Sequence, residues 1–194
     1  MTRTFIALEM NDALQRHLEG VTRQVAKALP SVRWLDPAGI HLTLAFLGEL
    51  TDEQLAIAMD ASAKAAGQVK AFSYRLSWLG TFGPPRQPRI IWMGIEESSG
   101  SLIRLHRILN LQLERDGFEI DRRPFSPHLT LARLKSPLTP DEQQQLQHLL
   151  AGEQRSITSQ VEYPASLIHV MKSELSRSGA YYTSLQEYRL VVSS

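Results

Sequence analysis

The sequence contains no cysteine among its 194 residues. This absence excludes disulfide bonds, cysteine nucleophiles, and zinc or iron–sulfur sites built on thiolates. An excess of either charge is also lacking: the formal net charge is +1, so we expect no broad basic surface for a polyanion. No apolar run approaches the ~18 residues that a membrane span needs, and no signal-peptide pattern is present. We therefore expect a cytoplasmic protein without membrane contact, with a monomer as the default.

The composition is that of a folded domain. Hydrophobic residues make up 43% of the chain and charged residues 21%, which is typical of globular proteins and unlike disordered chains. Apolar periodicity and helix-capping patterns predict the elements. We predict strands at residues 4–9, 40–47, 72–79, 89–95, 128–134, 157–163, 167–173 and 187–192, and helices at residues 11–29, 51–66, 101–115 and 139–152.

The order of these elements repeats. Residues 4–79 and residues 89–163 each run strand, helix, strand, helix, strand, and a glycine- and proline-rich connection at 80–88 separates them. We therefore predict a single α+β domain over residues 1–194, built as two pseudo-symmetric lobes from an internal duplication. Each lobe would hold a mainly antiparallel sheet with outer helices, and the strands of residues 164–194 would complete the sheets. An active-site cleft would lie between the lobes.

One pentapeptide, His-Leu-Thr-Leu-Ala, occurs in both halves, at residues 41–45 and 128–132. Each copy lies in the third element of its half, just before a capped helix. A single His-x-Thr triplet arises often by chance and is more often structural than functional. Two identical copies at equivalent positions of a repeat indicate a function.

The geometry of an ideal strand gives the motif its meaning. Side chains alternate between the two faces, so His41 and Thr43 share one face, while Phe46 points with the leucines into the core. The second copy places His128 beside Thr130 in the same way. If a pseudo-two-fold axis relates the halves, both pairs point into one cleft.

This pair of side chains suits hydrolysis of a phosphodiester. In-line displacement at phosphorus needs a base at the attacking oxygen and an acid at the leaving oxygen, and histidine can serve either role near neutral pH. Threonine hydroxyls can donate to the non-bridging oxygens that carry the charge. We predict His41 and His128 as the catalytic pair, with Thr43 and Thr130 as substrate contacts.

A metal site is the main chemical alternative, and it fits poorly. Each motif supplies one imidazole, and no carboxylate shares the face of the histidine and threonine, whereas zinc usually needs three or four protein ligands. A serine nucleophile lacks support because no Gly-x-Ser-x-Gly turn is present. We predict chemistry without a metal or other cofactor.

The two motifs in a duplicated chain of this length resemble the 2H phosphoesterase superfamily. Within it, the chain is similar to the LigT-like RNA 2′,3′-cyclic phosphodiesterases, also described as 2′-5′ RNA ligases. The resemblance covers almost the whole chain. Besides the motifs, it rests on Phe-Ile-Ala-Leu at 5–8, Phe-Leu-Gly at 46–48, Pro-Arg at 88–89 with Ile-Trp at 91–92, Phe-Ser-Pro at 125–127, and Ser173, Leu175, Gly179 and Tyr182.

The resemblance implies a reaction. It implies hydrolysis of a 2′,3′-cyclic phosphate at an RNA 3′ end to a 2′-phosphate, and joining of a 5′-hydroxyl to the cyclic phosphate through a 2′-5′ linkage. It assigns His128 as the base that activates water and His41 as the acid that protonates the departing 3′ oxygen. The expected partners are RNA ends, such as those of tRNA fragments, and small cyclic nucleotides.

Two more residues are candidates for substrate binding. The resemblance makes Arg133 a phosphate or substrate contact, although an ideal strand would point it away from His128; an exposed strand-end arginine is the alternative. Phe5 is a candidate to stack on a base, because aromatic faces accept any base. Core packing is the alternative for Phe5.

Other functions stay open at this point. The same chemistry can act on 2′-5′-linked oligonucleotides, small cyclic nucleotides or ADP-ribose cyclic phosphate. A non-catalytic module that binds RNA ends is a different class. Such a module would be expected to carry degenerate motifs, whereas both copies are intact here.

Overall fold

The computed structural model describes residues 1–8, 10–151, 160–175 and 180–192. Within these ranges the chain forms strands and α-helices, with a short 3-10 helix at Pro37–Gly39. In chain order they are β1 (Thr2–Leu8), α1 (Asp12–Ala26), β2 (Leu42–Leu50), α2 (Asp52–Ala66), β3 (Phe72–Phe82), β4 (Ile90–Glu96), α3 (Ser101–Arg115), β5 (His128–Arg133), α4 (Pro140–Ala151), β6 (Tyr163–Ala165), β7 (Leu167–Leu175) and β8 (Ala180–Arg189).

Side chains cap the starts of α1 and α2. The Asn11 side chain accepts a hydrogen bond from the backbone N–H of Leu14 at the start of α1. Thr51 and Gln54 form a capping box at the start of α2, each side chain accepting from the other residue's backbone N–H. None of the helices in the described ranges has the length and apolarity required to cross a membrane.

The strands form two antiparallel sheets of four strands each. The first has the order β2-β1-β7-β8 and the second has the order β5-β4-β3-β6. Helix α2 packs across all four strands of the first sheet and against α3, and α4 packs against β3. The prediction of an α+β fold with two antiparallel sheets and helices is confirmed.

The predicted lobe boundaries need a correction. Strand β3 ends the first repeat in sequence, but it pairs with β4 and β6 in the second sheet. Strand β7, which follows α4 and β6, pairs with β1 in the first sheet. Both repeats keep the predicted order of strands and helices. The division at 4–79 and 89–163 does not separate the two sheets, however, because each sheet contains strands from outside one repeat. The last two strands complete only the first sheet.

Several element bounds also differ from the prediction. Helix α1 ends at Ala26 rather than at 29, and strand β3 continues to Phe82, so the connection predicted at 80–88 is shorter. Strand β8 runs over Ala180–Arg189 rather than 187–192, and all of its residues are exposed or half-buried, so no apolar alternation marks it.

The strand predicted at 157–163 is wrong in its described part. Positions 160–162 are not strand, and β6 runs over Tyr163–Ala165. Positions 157–159 lie outside the described residues, as do Glu9 and Gly179.

Alternate residues of both sheets enter one continuous core. Ile6 and Leu8 of β1, and Ile91 and Met93 of β4, belong to the same buried cluster. The residues between them point the other way, since side chains alternate along a strand. We call the face of each sheet opposite to this core the site face.

Register shifts interrupt the pairing of the first motif strand. Thr43 pairs with Ala7 and Ala45 pairs with Ile6, which leaves Leu44 as an extra residue in β2. Such a β-bulge releases the extra residue from the ladder and re-aims the side chains that follow it.

The second motif strand has the same irregularity at the same position. Thr130 pairs with Trp92 and Ala132 pairs with Ile91, which leaves Leu131 as the extra residue in β5. Both bulges therefore fall three residues after the motif histidine.

Each bulge carbonyl accepts a hydrogen bond from the other half of the repeat. The Asn110 side chain of α3 donates to the Leu44 carbonyl at 3.3 Å, and the backbone N–H of Leu35 donates to the Leu131 carbonyl at 2.8 Å. The segment that carries Leu35 also forms a bridge from Trp34 to Ala132 of β5. These contacts satisfy buried groups that the ladder leaves unpaired.

Glu142 holds the same segment in place. Its buried carboxylate accepts hydrogen bonds from the backbone N–H and hydroxyl of Ser31, both at 2.8 Å, and from the N–H and hydroxyl of Thr139. The bonds from the Ser31 side chain and backbone, followed by that from Thr139, lower the pKa of Glu142 from 4.5 to about 2. The carboxylate thus anchors Ser31, a few residues before Trp34 and Leu35, which contact β5.

The Asn110 contact yields a stability prediction. Replacing Asn110 with Ala should lower the free energy of unfolding by about 1–3 kcal/mol, because the Leu44 carbonyl stays buried without its donor. Urea denaturation measures this loss. Leu111→Ala, at a partly exposed site on the same helix, is the control; an equal loss in both variants would contradict the role given to Asn110.

The Glu142 contacts yield a pH prediction. The folded-state pKa lies below the ordinary value, so the charge stabilises the fold above about pH 5 and loses its effect as the pH falls toward 2. We expect Glu142→Gln to unfold more easily at pH 7, with a difference from the wild type that shrinks below pH 5. Denaturation at several pH values measures it, with Asp141→Asn as the control. If the difference in the free energy of unfolding between Glu142→Gln and the wild type did not change with pH, the charge of the Glu142 carboxylate would not be what stabilises the fold.

Candidate active site

The bulge in β5 sets the direction of Arg133. Thr130 pairs with Trp92 and Arg133 pairs with Ile90. Trp92 and Ile90 are two residues apart on β4 and share a face, so Arg133 lies on the site face with Thr130. An ideal strand predicts the opposite face, and the extra residue Leu131 accounts for the difference.

The bulge in β2 has the same effect on Phe46. Thr43 pairs with Ala7 and Phe46 pairs with Phe5, so Thr43 and Phe46 also share the site face. The Phe46 ring is 54% exposed. The prediction that Phe46 enters the core is therefore wrong, and an aromatic ring stands on the site face instead.

The two motif histidines are held in the same way. Nδ1 of His41 lies 3.0 Å from the carbonyl oxygen of Gly39, and Nδ1 of His128 lies 2.7 Å from that of Ser126. A carbonyl can only accept, so Nδ1 carries the proton in both rings. The neutral ring then keeps its lone pair on Nε2, and each half offers one Nε2 for proton transfer.

Aromatic rings enclose the His41 imidazole. The Phe5 ring stacks on it with 4.4 Å between centroids, and the Tyr182 ring meets it edge-on at 4.8 Å. Phe46 stacks near Phe5 at 5.7 Å. Phe5 is 0% exposed, which does not support the expectation that it stacks on a base. Phe5 instead positions His41, and Phe46 presents the accessible ring.

A different set of rings surrounds His128. The Phe82 ring meets the imidazole edge-on at 4.9 Å, and the Trp92 ring lies at 6.0 Å. Phe82 and Trp92 are 5.2 Å apart. Trp78 is 56% exposed, and Trp92 lies on the site face.

The two halves meet at this site. Strands β2 and β5 belong to different sheets but contact each other. Burial lowers the pKa of His41, the hydrogen bond with Gly39 opposes this shift, and the positive charge of Arg133 lowers the pKa further. Arg133 of the second motif is thus close enough to act electrostatically on the histidine of the first motif.

Within the ranges that the structure describes, no three His, Asp or Glu side chains lie close enough together to hold a metal ion. The side chains described above at the site are imidazoles, hydroxyls, a guanidinium and aromatic rings.

Three aromatic residues that contact the motif histidines have no site role predicted from the sequence: Phe82, Trp92 and Tyr182. Phe82 falls in the stretch predicted as a connection, and Tyr182 precedes the strand predicted at 187–192. Trp92 could be found, because it alternates with Ile91 and Met93, whose apolar side chains mark the core face of β4.

Comparison with known proteins yields relatives over most of the chain. An RNA 2′,3′-cyclic phosphodiesterase of Geobacillus stearothermophilus is 34% identical over 148 residues, which are 76% of this chain and 47% of the relative. The chain thus spans about half the length of that protein. A protein of the same description from Methanothermobacter thermautotrophicus is 26% identical over 192 residues, covering 97% of this chain and 98% of the relative.

Solved structures share the fold. A protein of Thermus thermophilus matches with a TM-score of 0.81 and 26% identity over 97% of each chain. Escherichia coli LigT in complex with 3′-AMP matches with a TM-score of 0.72 and 24% identity, covering 97% of this chain and 98% of that one. The model of LigT-like phosphoesterases matches residues 8–92 and 94–182. The chain belongs to the LigT-like phosphoesterase family.

Proposed function

We propose that this protein is an RNA 2′,3′-cyclic phosphodiesterase that hydrolyses the cyclic phosphate at an RNA 3′ end to a 2′-phosphate. His41 and His128 act as its general acid and base. The observation that carries the proposal is the matched pair of imidazoles, each with Nδ1 held by the carbonyl two residues earlier. The contact between the two motif strands supports their action on one phosphate, and the names of the relatives support the substrate.

The chemistry divides between the two rings. Nε2 of His128 takes a proton from water as the water oxygen bonds to phosphorus. The bond from phosphorus to the 3′ oxygen breaks on the opposite side, and His41 gives that oxygen its proton. The products are a 2′-phosphate and a free 3′-hydroxyl, and no metal is needed.

Side chains beside the histidines bind the phosphate. Thr43 and Thr130 each follow their histidine by two residues on the same face, so their hydroxyls can donate to the non-bridging oxygens. Arg133 adds a fixed positive charge on that face, suited to the charge that develops on these oxygens. Phe46 offers its exposed ring to the base of the nucleotide that carries the cyclic phosphate.

The acid role of His41 depends on the substrate. Burial and the charge of Arg133 lower the pKa of His41, which favours the neutral ring. The negative charge of the bound phosphate opposes both effects, because it neutralises Arg133 and favours the imidazolium. Substrate binding therefore raises the pKa of His41, and the ring takes up from solvent the proton that it later gives to the leaving oxygen.

The same arrangement supports ligation. When the 5′-hydroxyl of a second RNA takes the place of water beside His128, the product is a 2′-5′ phosphodiester. His128 and His41 keep their roles, so ligation requires no further catalytic group. The partners are then two RNA ends, such as those of cleaved tRNA, whereas small cyclic nucleotides undergo hydrolysis alone.

Replacement of either histidine tests the proposal. We expect His41→Ala and His128→Ala each to lower the rate of 2′,3′-cyclic AMP hydrolysis roughly 10²–10⁴-fold, because one proton transfer loses its partner. Formation of 2′-AMP in excess EDTA is the measurement. His148→Ala, which removes an exposed histidine on α4, should leave the rate unchanged. Loss of wild-type activity in EDTA with recovery on added zinc would refute the mechanism.

Arg133 provides a test of the effect of its charge on His41. That charge lowers the pKa of His41, so Arg133→Gln should raise this pKa. The limb of the bell-shaped profile of kcat/KM that reports His41 should therefore move to higher pH. Arg104→Gln, at an exposed arginine on α3, is the control. A profile that keeps both limbs in place in Arg133→Gln would contradict the electrostatic contact between Arg133 and His41.

A further inference from the structure

The site face of β3 carries two aromatic residues separated by a glycine. Gly80 pairs with Trp92 and therefore lies on the site face. A register shift between Leu76 and Leu79 places Ser77 and Trp78 opposite Gly94, and Trp78, which directly precedes the core residue Leu79, lies on the site face as well. Phe82 follows on the same face, and its ring meets His128 at 4.9 Å. The site face of the second sheet therefore extends from the catalytic histidine to Trp78.

Trp92 of the neighbouring strand fills the space above the glycine. A Cβ atom at Gly80 would overlap the Trp92 indole, so only glycine lets this ring lie there. The same ring comes within 3.4 Å of the position that a Cβ of Gly94 would take, beside the backbone of Trp78. We call Trp78, Trp92 and Phe82 the aromatic shelf.

The outer end of the shelf is open. Trp78 is 56% exposed, although tryptophan is highly buried on average in folded proteins. All three members of the shelf are uncharged, which suits the face of a nucleobase better than a phosphate. Stacking on such a ring is tolerant of base identity.

The two halves differ at this point. Trp92 pairs with Thr130 of the second motif, whereas Ala7 pairs with Thr43 of the first. The first half instead exposes Phe46, on the strand of His41. Phe46 on the first sheet and Trp78 on the second are therefore exposed aromatic rings at different positions relative to the histidine of their sheet, so two bases can stack at separate places.

We infer that the aromatic shelf is the subsite for a second nucleotide, the one whose 5′-hydroxyl replaces water in 2′-5′ ligation. This inference rests on the proposed function, in which His128 is the base at the attacking oxygen. The sugar that carries this oxygen lies on the His128 side, and its base stacks on Trp78.

The two histidines carry out both proton transfers of the ligation step that uses this subsite. The 5′ oxygen bonds to phosphorus, the bond to the 3′ oxygen breaks, the proton of the 5′-hydroxyl passes to His128, and His41 gives its proton to the 3′ oxygen. In the reverse direction a 2′-5′-linked dinucleotide yields a cyclic phosphate and a nucleoside. Cleavage of such a dinucleotide therefore reports on the same subsite.

The test compares two substrates in variants of Trp78. Adenylyl-(2′-5′)-adenosine occupies both nucleotide positions, whereas 2′,3′-cyclic AMP occupies one. We expect Trp78→Ala to lower the ratio of kcat/KM for the dinucleotide to that for the cyclic nucleotide about 5- to 100-fold, the loss expected for one stacked base. Trp78→Phe should keep the ratio within about 3-fold of the wild type, because a smaller ring still stacks.

Ile103→Ala removes another exposed apolar side chain, on α3, and should leave the ratio unchanged. An unchanged ratio in Trp78→Ala, or an equal loss in Trp78→Phe, would overturn the inference. Wild-type protein that hydrolyses cyclic AMP but neither cleaves the dinucleotide nor ligates would overturn it too, together with the proposed ligation, and would leave the proposed hydrolysis of cyclic phosphates unaffected. Failure to hydrolyse any cyclic phosphate would contradict both the inference on the aromatic shelf and the proposed function. Circular dichroism confirms that each variant is folded.

Discussion

A carbonyl released by a β-bulge must find a donor, and in both motif strands that donor comes from the opposite half. The Leu44 carbonyl accepts from Asn110, and the Leu131 carbonyl accepts from Leu35. A buried carbonyl without a partner is costly, so each bulge is stable only when the other half has docked. The bulges in turn place Phe46 and Arg133 on the site face. The geometry of the site therefore forms only when the two halves pack together.

This coupling explains what the sequence could predict. Period-two alternation correctly places each histidine on the same face as its threonine, because both residues precede the bulge. The same alternation puts the residues beyond it on the wrong face, since His-Leu-Thr-Leu-Ala alternates perfectly and gives no local sign of an extra residue. The donors that stabilise the bulges lie far away in sequence, as Asn110 lies 66 positions from Leu44. The prediction for β8 is too short for a different reason: its residues are mostly exposed and lack an apolar pattern.

Two nearly identical motifs receive different surroundings. His41 is enclosed by Phe5 and Tyr182 and faces the charge of Arg133, whereas His128 stands beside the open shelf of Trp92 and Phe82. Burial and charge alter the proton affinity of a histidine without changing its chemistry. A duplicated site can therefore assign separate tasks to equal residues through the neighbours alone.

The exchange of strands between the repeats has a consequence for biosynthesis. The first sheet combines β1 and β2 with β7 and β8, so β1 has no partner on its β7 side until the ribosome has passed Leu167. Pairing between such distant segments raises contact order and slows folding. The second sheet, whose four strands lie between residues 72 and 165, can close earlier. Until β7 is made, a nascent chain exposes the unpaired edge of β1, and such strand edges are prone to aggregation.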